Sequence, residues 1–309
     1  MLIALGDIAK DDDWMLQRYD ERNADLRYWV NGTLRHRDEP GISPFDSVVQ
    51  GGDAVWEGLR LYDGGVYGLY EHLARLRRSA TALGFAGVPG DAEIIAALRE
   101  TLAANDMRDG VHVRLTVTRG VKITSGMDPR LNRQGCTLIV LAEFKAPVYD
   151  TEGLTLVTSS VRRPGPDVLD PRIHHNNLLN SILAKMEANV AGADDAMMLD
   201  ARGFVAETNA THLFAVAGGA LLTPRAVACP EGITRDTVLR IAPLPAEVRD
   251  LAQVEMYTAD EVFCTGTMGE IAGVVAIDGR PIGDGEVGPV TRRIAELYRE
   301  HARANAVRV

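Results

Sequence analysis

The sequence predicts a two-domain α/β (α+β) fold, on three observations. Its 309 residues exceed the roughly 100–200 of a single domain. Stretches of helical and strand periodicity alternate irregularly, with several hairpin turns among them. An unpatterned, proline-bearing stretch at 144–150 divides the chain near its middle. These set an N-terminal arm (1–25), a smaller α/β domain (26–143), a linker (144–153) and a larger domain (154–309).

The elements follow in order. Residues 27–30 (RYWV) read as a strand turning at Asn31-Gly32, and 58–62 as another ending at Asp63-Gly64-Gly65. Residues 71–85 form a helix whose apolar face is Leu73, Leu76, Ala80 and Leu83, with Gly84 at its end. A second helix starts at Asp91, an acid suited to a helix N-terminus. Residues 111–118 and 137–142 are strands by β-branched content, joined by a long loop over 118–134. Beyond the linker, strands are expected at 154–159, 196–199, 212–216, 221–223 and 261–264, and helices at 177–192, 233–241 and 289–305. On the 177–192 helix the apolar stripe Leu179, Ile182, Leu183, Met186 and Val190 is expected to face the core, leaving Lys185 in solvent.

Composition narrows the function classes. With 33 basic and 43 acidic residues the net charge is −10, which argues against nucleic acid or an anionic membrane surface as partner. No apolar run approaches the ~18 residues of a membrane span. The N-terminus has no basic region before its apolar residues, so no secretory signal is expected. Three widely spaced cysteines, Cys136, Cys229 and Cys264, make neither a disulfide framework nor a zinc knuckle, consistent with a cytoplasmic setting and no metal. Only four of the basic residues are lysines: Lys10, Lys122, Lys145 and Lys185.

Four segments carry side chains suited to chemistry. Pro230 to Asp236 opens a helix: Gly232 permits close approach, and the free first-turn amides with the Thr234 hydroxyl suit a phosphate as well as an ordinary capped helix. Cys264 to Glu270 brings two hydroxyls around a glycine after a strand, an anion cradle or a plain turn. Glu207, among small residues after a strand, suits a ligand nitrogen or solvent. Arg75 lies off the Leu73/Leu76 stripe and reads by itself as a surface residue.

In this order the segments resemble the fold-type IV pyridoxal-phosphate enzymes: branched-chain and D-amino-acid aminotransferases and aminodeoxychorismate lyases. The resemblance runs from about Tyr28 to Tyr298, through Trp56-Glu57-Gly58-Leu59-Arg60, Glu71 to Leu76, Arg114 with Thr118-Arg119-Gly120, Asn177-Leu178-Leu179, Leu183 to Ala188, Gly203 to Phe214, Pro230 to Arg235 and Gly266 to Glu270. It implies pyridoxal or pyridoxamine 5′-phosphate as cofactor, an amino acid or 2-oxo acid as substrate, and a homodimer. It also implies that Arg75, Ile233 and Thr234 bind the phosphate, with Thr267 and Met268 as a second phosphate-side turn, and that Glu207 pairs with the ring nitrogen. Arg119 or Arg130, on the long loop, is implied as the anchor of a substrate carboxylate.

One departure bears on the chemistry. The family's cofactor-binding lysine lies three or four residues before the asparagine seen here as Asn177, and those positions hold His174 and Ile173. A primary amine condenses with an aldehyde; an imidazole forms no stable imine. Histidine retains the other task of that lysine, moving a proton near neutral pH. The expectation is therefore cofactor held without a covalent bond, with His174 and His175 as the catalytic pair. The alternatives are a lyase, isomerase or hydrolase using both histidines in the same pocket, and a binding protein without catalysis. Lys122, on the loop beside Arg119, is the one lysine placed to substitute.

Overall fold

A computed structural model describes residues 17–147, 149 and 152–309. The proposed arm at 1–25 lies largely outside the described residues.

Two sheets organise the chain. The first is antiparallel, with strands β1 (Arg27–Val30), β2 (Thr33–His36), β3 (Ala54–Tyr62), β4 (Gly65–Val66), β5 (Val111–Thr118), β6 (Thr137–Phe144) and β16 (Val307–Arg308), in the spatial order β16-β4-β3-β5-β6-β1-β2. The short helix α1 (Ser47–Gly51) precedes β3, and helices α2 (Leu69–Ala82) and α3 (Asp91–Ala104) cover the sheet. Leu69, Leu73, Leu76 and Ala80 of α2 pack with Leu59, Val113, Leu115 and Val140 of the strands. The final strand, β16, pairs with β4, so the last residues of the chain return to the first sheet rather than closing the 154–309 segment on itself.

The second sheet is mixed. It contains β7 (Leu154–Thr158), β8 (Asp195–Leu199), β9 (Val205–Thr208), β10 (His212–Ala217), β11 (Ala220–Thr223), β12 (Ala246–Val248), β13 (Glu261–Gly266), β14 (Glu270–Ile277) and β15 (Arg280–Pro281). Strands β7 and β8 run parallel, and so do β7 and β14. Helix α4 (Leu179–Ala191) lies against β7 and β8. Helices α5 (Ile233–Ile241) and α7 (Pro289–Ala304) pack against each other and against β13, and the short α6 (Gln253–Tyr257) lies between β12 and β13 in the chain.

Helix α4 corrects one expectation. Its buried residues are Ala184 and Ala188, not the large apolar stripe. Two alanines let the helix approach Ala196 and Met198 closely. Lys185 sits beside them, bonded to the Asp194 carbonyl and 3.2 Å from Asp195 Oδ1. The stripe of Leu179, Ile182, Leu183, Met186 and Val190 is exposed, Val190 at 91%. Periodicity located the stripe correctly but not what it faces.

The long loop after β5 is anchored at Gly120. Its carbonyl accepts from the Ser47 amide (3.0 Å) and from Asn132 Nδ2 (2.6 Å). Gly120 has φ +100°, and a Cβ there would lie 1.8 Å from the Gly135 carbonyl oxygen. Gly120→Ala should therefore destabilise the chain by at least about 2 kcal/mol in denaturant unfolding; an unchanged midpoint would contradict this backbone arrangement.

Candidate active site

The site is built around a buried carboxylate. Strand β3 carries Glu57 at 0% exposure, the one acid in a mostly apolar strand. Helix α2 supplies its partners. Beside the leucine stripe, His72, Arg75 and Ser79 recur at spacings of three and four, so they share one face, and all three are buried. Arg75 donates from Nε to Glu57 Oε1 (2.9 Å) and from Nη2 to Oε2 (2.6 Å). His72 Nδ1 lies 2.7 Å from the same Oε2. The third Arg75 nitrogen in use, Nη1, donates to the Glu231 carbonyl (2.6 Å), immediately before α5. Arg75 is thus a buried connector rather than the surface residue its place off the stripe suggests. Burial raises the Glu57 carboxyl, but the charges of Arg75 and His174 outweigh it and hold the group well below the usual carboxylate range.

The segment before α4 runs antiparallel to the start of β3. Val55 bridges His175, the Trp56 amide donates to the His174 carbonyl (3.0 Å), and the Asn176 amide donates to the Ala54 carbonyl (2.9 Å). The Trp56 indole donates to the His175 carbonyl (3.1 Å), and its ring stacks on the His174 imidazole at 4.4 Å. Ser79 Oγ accepts the His174 amide (3.0 Å). The His174 ring is thereby pinned, with Nδ1 3.5 Å from Glu57 Oε1. His175 accepts the Asn177 amide at Nδ1 (3.2 Å), and its buried Nε2 has no partner among the described residues. Burial lowers both histidines; Arg75 adds to the effect at His174 and Arg163 at His175, while Glu57 opposes it at His174.

From the second sheet, Glu207 on β9 is buried and pairs with Arg163, with His212 Nδ1 at 3.8 Å. Arg163 is oriented by the Ala228 carbonyl (3.2 Å) and Ser181 Oγ (3.0 Å). Burial pushes the Glu207 carboxyl up to about 7 against the pull of Arg163. Burial and the charges of Arg235, Arg75 and Arg163 push His212 down to about 3. Glu207, His212 and Cys229 offer donor atoms within 4.8 Å of one another. With those three guanidiniums around the cluster, a divalent cation would meet strong repulsion there.

The helix α5 closes the site. Gly232 at its N-cap has no side-chain acceptor, so the amides of Ile233 and Thr234 have no cap bond. A Cβ on Gly232 would lie 2.4 Å from the His212 ring, so only glycine lets α5 begin there. Ile233 and Thr234 line a narrow pocket with Thr267, Arg60, Tyr62 and Tyr298. The Thr265 hydroxyl, two residues before Thr267 and fully buried, has no partner among the described residues. Met268 stands in the same turn between β13 and β14.

The fold thus links His174, Arg75, Glu207, Ile233, Thr234 and Thr267 through Glu57, the Glu231–Gly232 backbone and His212. It does not bring Arg119 or Arg130 to them. Arg119 donates to Asp53 (2.6 Å) and to the Leu83 carbonyl (2.9 Å) at the end of α2, and Arg130 pairs with Asp128 in its own exposed turn. Lys122 Nζ donates to the Gly126 carbonyl within the loop (2.6 Å). Besides Arg75 and Arg163, Arg114 stands at the site, 3.9 Å over the Trp56 ring and 2.7 Å from Asn176 Oδ1. Sequence reasoning gave no role to Glu57, Trp56, Arg114, Arg163 or His212; an acid inside the apolar strand AVWEGLRLY was the one signal for Glu57.

Comparison with known proteins identifies the class. The amino-transferase class IV family model matches residues 54–277. The chain is 55% identical over 282 residues to branched-chain-amino-acid aminotransferase-like protein 2 of Arabidopsis thaliana, covering 90% of this chain and 50% of that protein. It is 39% identical to a putative branched-chain-amino-acid aminotransferase of Methanocaldococcus jannaschii, covering 89% of this chain and 96% of that one. The crystal structure of a branched-chain aminotransferase from the thermophilic archaeon Thermoproteus uzoniensis with norvaline superimposes with a TM-score of 0.82 at 30% identity, over 91% of this chain and 95% of that one. The chain belongs to the class IV aminotransferase family, with the fold-type IV architecture. It spans about half the length of the Arabidopsis relative.

His112 on β5 tests the electrostatics of the region. Burial pushes it down to about 3, with Lys145, Arg60 and Arg114 adding to the effect, and its Nε2 is buried without a partner among the described residues. The folded state keeps His112 neutral while the unfolded chain protonates it near 6.5, so stability is lost as pH falls from there toward 3. His112→Leu removes that loss. Its melting temperature relative to the natural chain should rise steadily between about pH 7.5 and 4.5; a difference constant across that range would refute the assignment.

Proposed function

We propose that this chain transfers amino groups between amino acids and 2-oxo acids, using pyridoxal or pyridoxamine 5′-phosphate held without a covalent bond. The observation that carries the reading is a cup and a carboxylate joined to one histidine. The uncapped α5 turn with Thr234 and Thr267, which line one narrow pocket, suits a phosphate. The buried Glu207 carboxylate, steadied by Arg163, suits a ring nitrogen. When bound, the cofactor supplies an electron-accepting ring and the carbonyl or amine that exchanges nitrogen with substrate. Arg75 adds positive charge beside the cup. His174 takes and returns the proton at the reacting carbon, and Trp56 holds its ring in place. We assign the substrate carboxylate to Arg114, because Arg119 and Arg130 are committed elsewhere.

Incubation with pyridoxal phosphate should give about one bound cofactor per chain that survives gel filtration, yet borohydride should leave none attached after denaturation. His174→Lys should give a borohydride-fixed adduct at residue 174 and faster amino transfer from branched-chain amino acids. Absence of cofactor uptake by both proteins would exclude this function and favour cofactor-free chemistry by the two histidines.

We also propose a homodimer and a reducing, cytoplasmic setting. The exposed stripe on α4 is a continuous apolar face of the kind that a two-fold axis pairs with itself, and all three cysteines are free. Light scattering should give twice the chain mass, and Ile182→Asp with Val190→Asp should halve it. A natural chain that is monomeric at micromolar concentration would overturn the dimer.

A further inference from the structure

We propose that Glu57 is the positioning residue that makes His174 a base: it fixes the imidazole with Nδ1–H turned inward and the opposite nitrogen, Nε2, left as the proton acceptor. The inference rests on the assignment of His174 as the proton-moving group.

The geometry supplies each part. Glu57 is fully buried, and an ionised carboxylate only accepts hydrogen bonds. Its Oε2 is taken by Arg75 Nη2 and His72 Nδ1, and its Oε1 by Arg75 Nε, with His174 Nδ1 next in line at 3.5 Å. Any proton on the inward nitrogen of His174 therefore faces negative charge, while a lone pair there would face repulsion. That selects the Nδ1–H tautomer, which leaves Nε2 as acceptor. The separation exceeds a formed hydrogen bond, as is common before a reacting group is bound. Trp56 stacks on one face of the ring at 4.4 Å, and the His174 backbone is tied to Trp56 and Ser79. Nδ1 is the buried nitrogen, while 16% of the side chain stays open.

The charges around the ring set its titration. Glu57 faces it from β3, Arg75 and His72 from α2, His212 from the second sheet, and His175 beside it in the chain. Burial lowers His174, Glu57 opposes this and Arg75 adds to it, so the balance favours the neutral ring, the form able to accept a proton. A carboxylate that orients an imidazole in this way follows the logic of nucleophile–base–orienter triads, with the orienter acting only through the histidine.

The test reads the histidine directly. Hydrogen–deuterium exchange at the imidazole Cε1, followed by mass spectrometry on the cofactor-free chain, gives a titration midpoint for each histidine. Glu57→Gln keeps the shape and removes the charge that opposes burial, so the His174 midpoint should fall by at least about one pH unit. The acid limb of kcat/KM for amino transfer should move the same way. A folded Glu57→Gln chain whose His174 midpoint is unmoved overturns the proposal. If that variant does not fold, Glu57→Asp keeps a charge for Arg75 but draws it back from His174 Nδ1, and the His174 midpoint should fall by a smaller amount. A midpoint that does not fall overturns the proposal. His174→Gln separates the underlying reading: undiminished amino transfer in that variant removes His174 from the chemistry, whatever the titrations show.

Discussion

The Glu57–Arg75 ion pair is the constraint on which the rest of the site depends. Both groups are buried, and such a pair repays its loss of water only when geometry is close and the remaining polar atoms are satisfied. Here Arg75 makes two bonds to one carboxylate and a third to the Glu231 carbonyl, while His72 takes part of what the carboxylate has left. The third bond reaches across to the start of α5. One guanidinium thus joins β3, α2 and the amides of the cup, and the position of the cup relative to His174 follows from it. In an otherwise acidic protein, Arg75, Arg163 and Arg235 crowd one buried region. Glu57 and Glu207 pair with the first two, so these guanidiniums are held in fixed positions.

Much of the architecture was legible in the sequence, and the failures have physical causes. The α5 helix at 233–241 and the β5 strand at 111–118 were readable to the residue, because capping signals and β-branched runs are local. Strand β3 was read only from Gly58 onward, since Glu57 and Gly58 interrupt its apolar run; the tertiary partner that makes a buried acid tolerable there lies on another element. The α4 stripe was found and assigned to the wrong neighbour. Hydrophobic spacing says that a face is apolar, and the small Ala184 and Ala188 decided which face meets the sheet.

The site was legible in part for the same reason. Backbone features such as the α5 turn, with Gly232 before it, are encoded in a few adjacent residues. The connections between segments are not. Arg163 meets Glu207 across more than forty positions, and Arg114 meets Asn176 across sixty-two. Arginine placement shows the limit most clearly: Arg119 and Arg130 sit on a suggestive loop, yet each has an aspartate within reach that claims it first. Proximity in sequence located candidates, and local charge pairing removed them.

The return of β16 to the first sheet has a mechanical consequence. The chain passes from one sheet to the other after β6 and returns between α7 and β16, so two stretches of backbone join the halves. Halves joined by a single tether swing freely about it, whereas halves joined at two separated points resist opening. Relative motion of the two halves is therefore restrained at two places along the chain, after β6 and before β16.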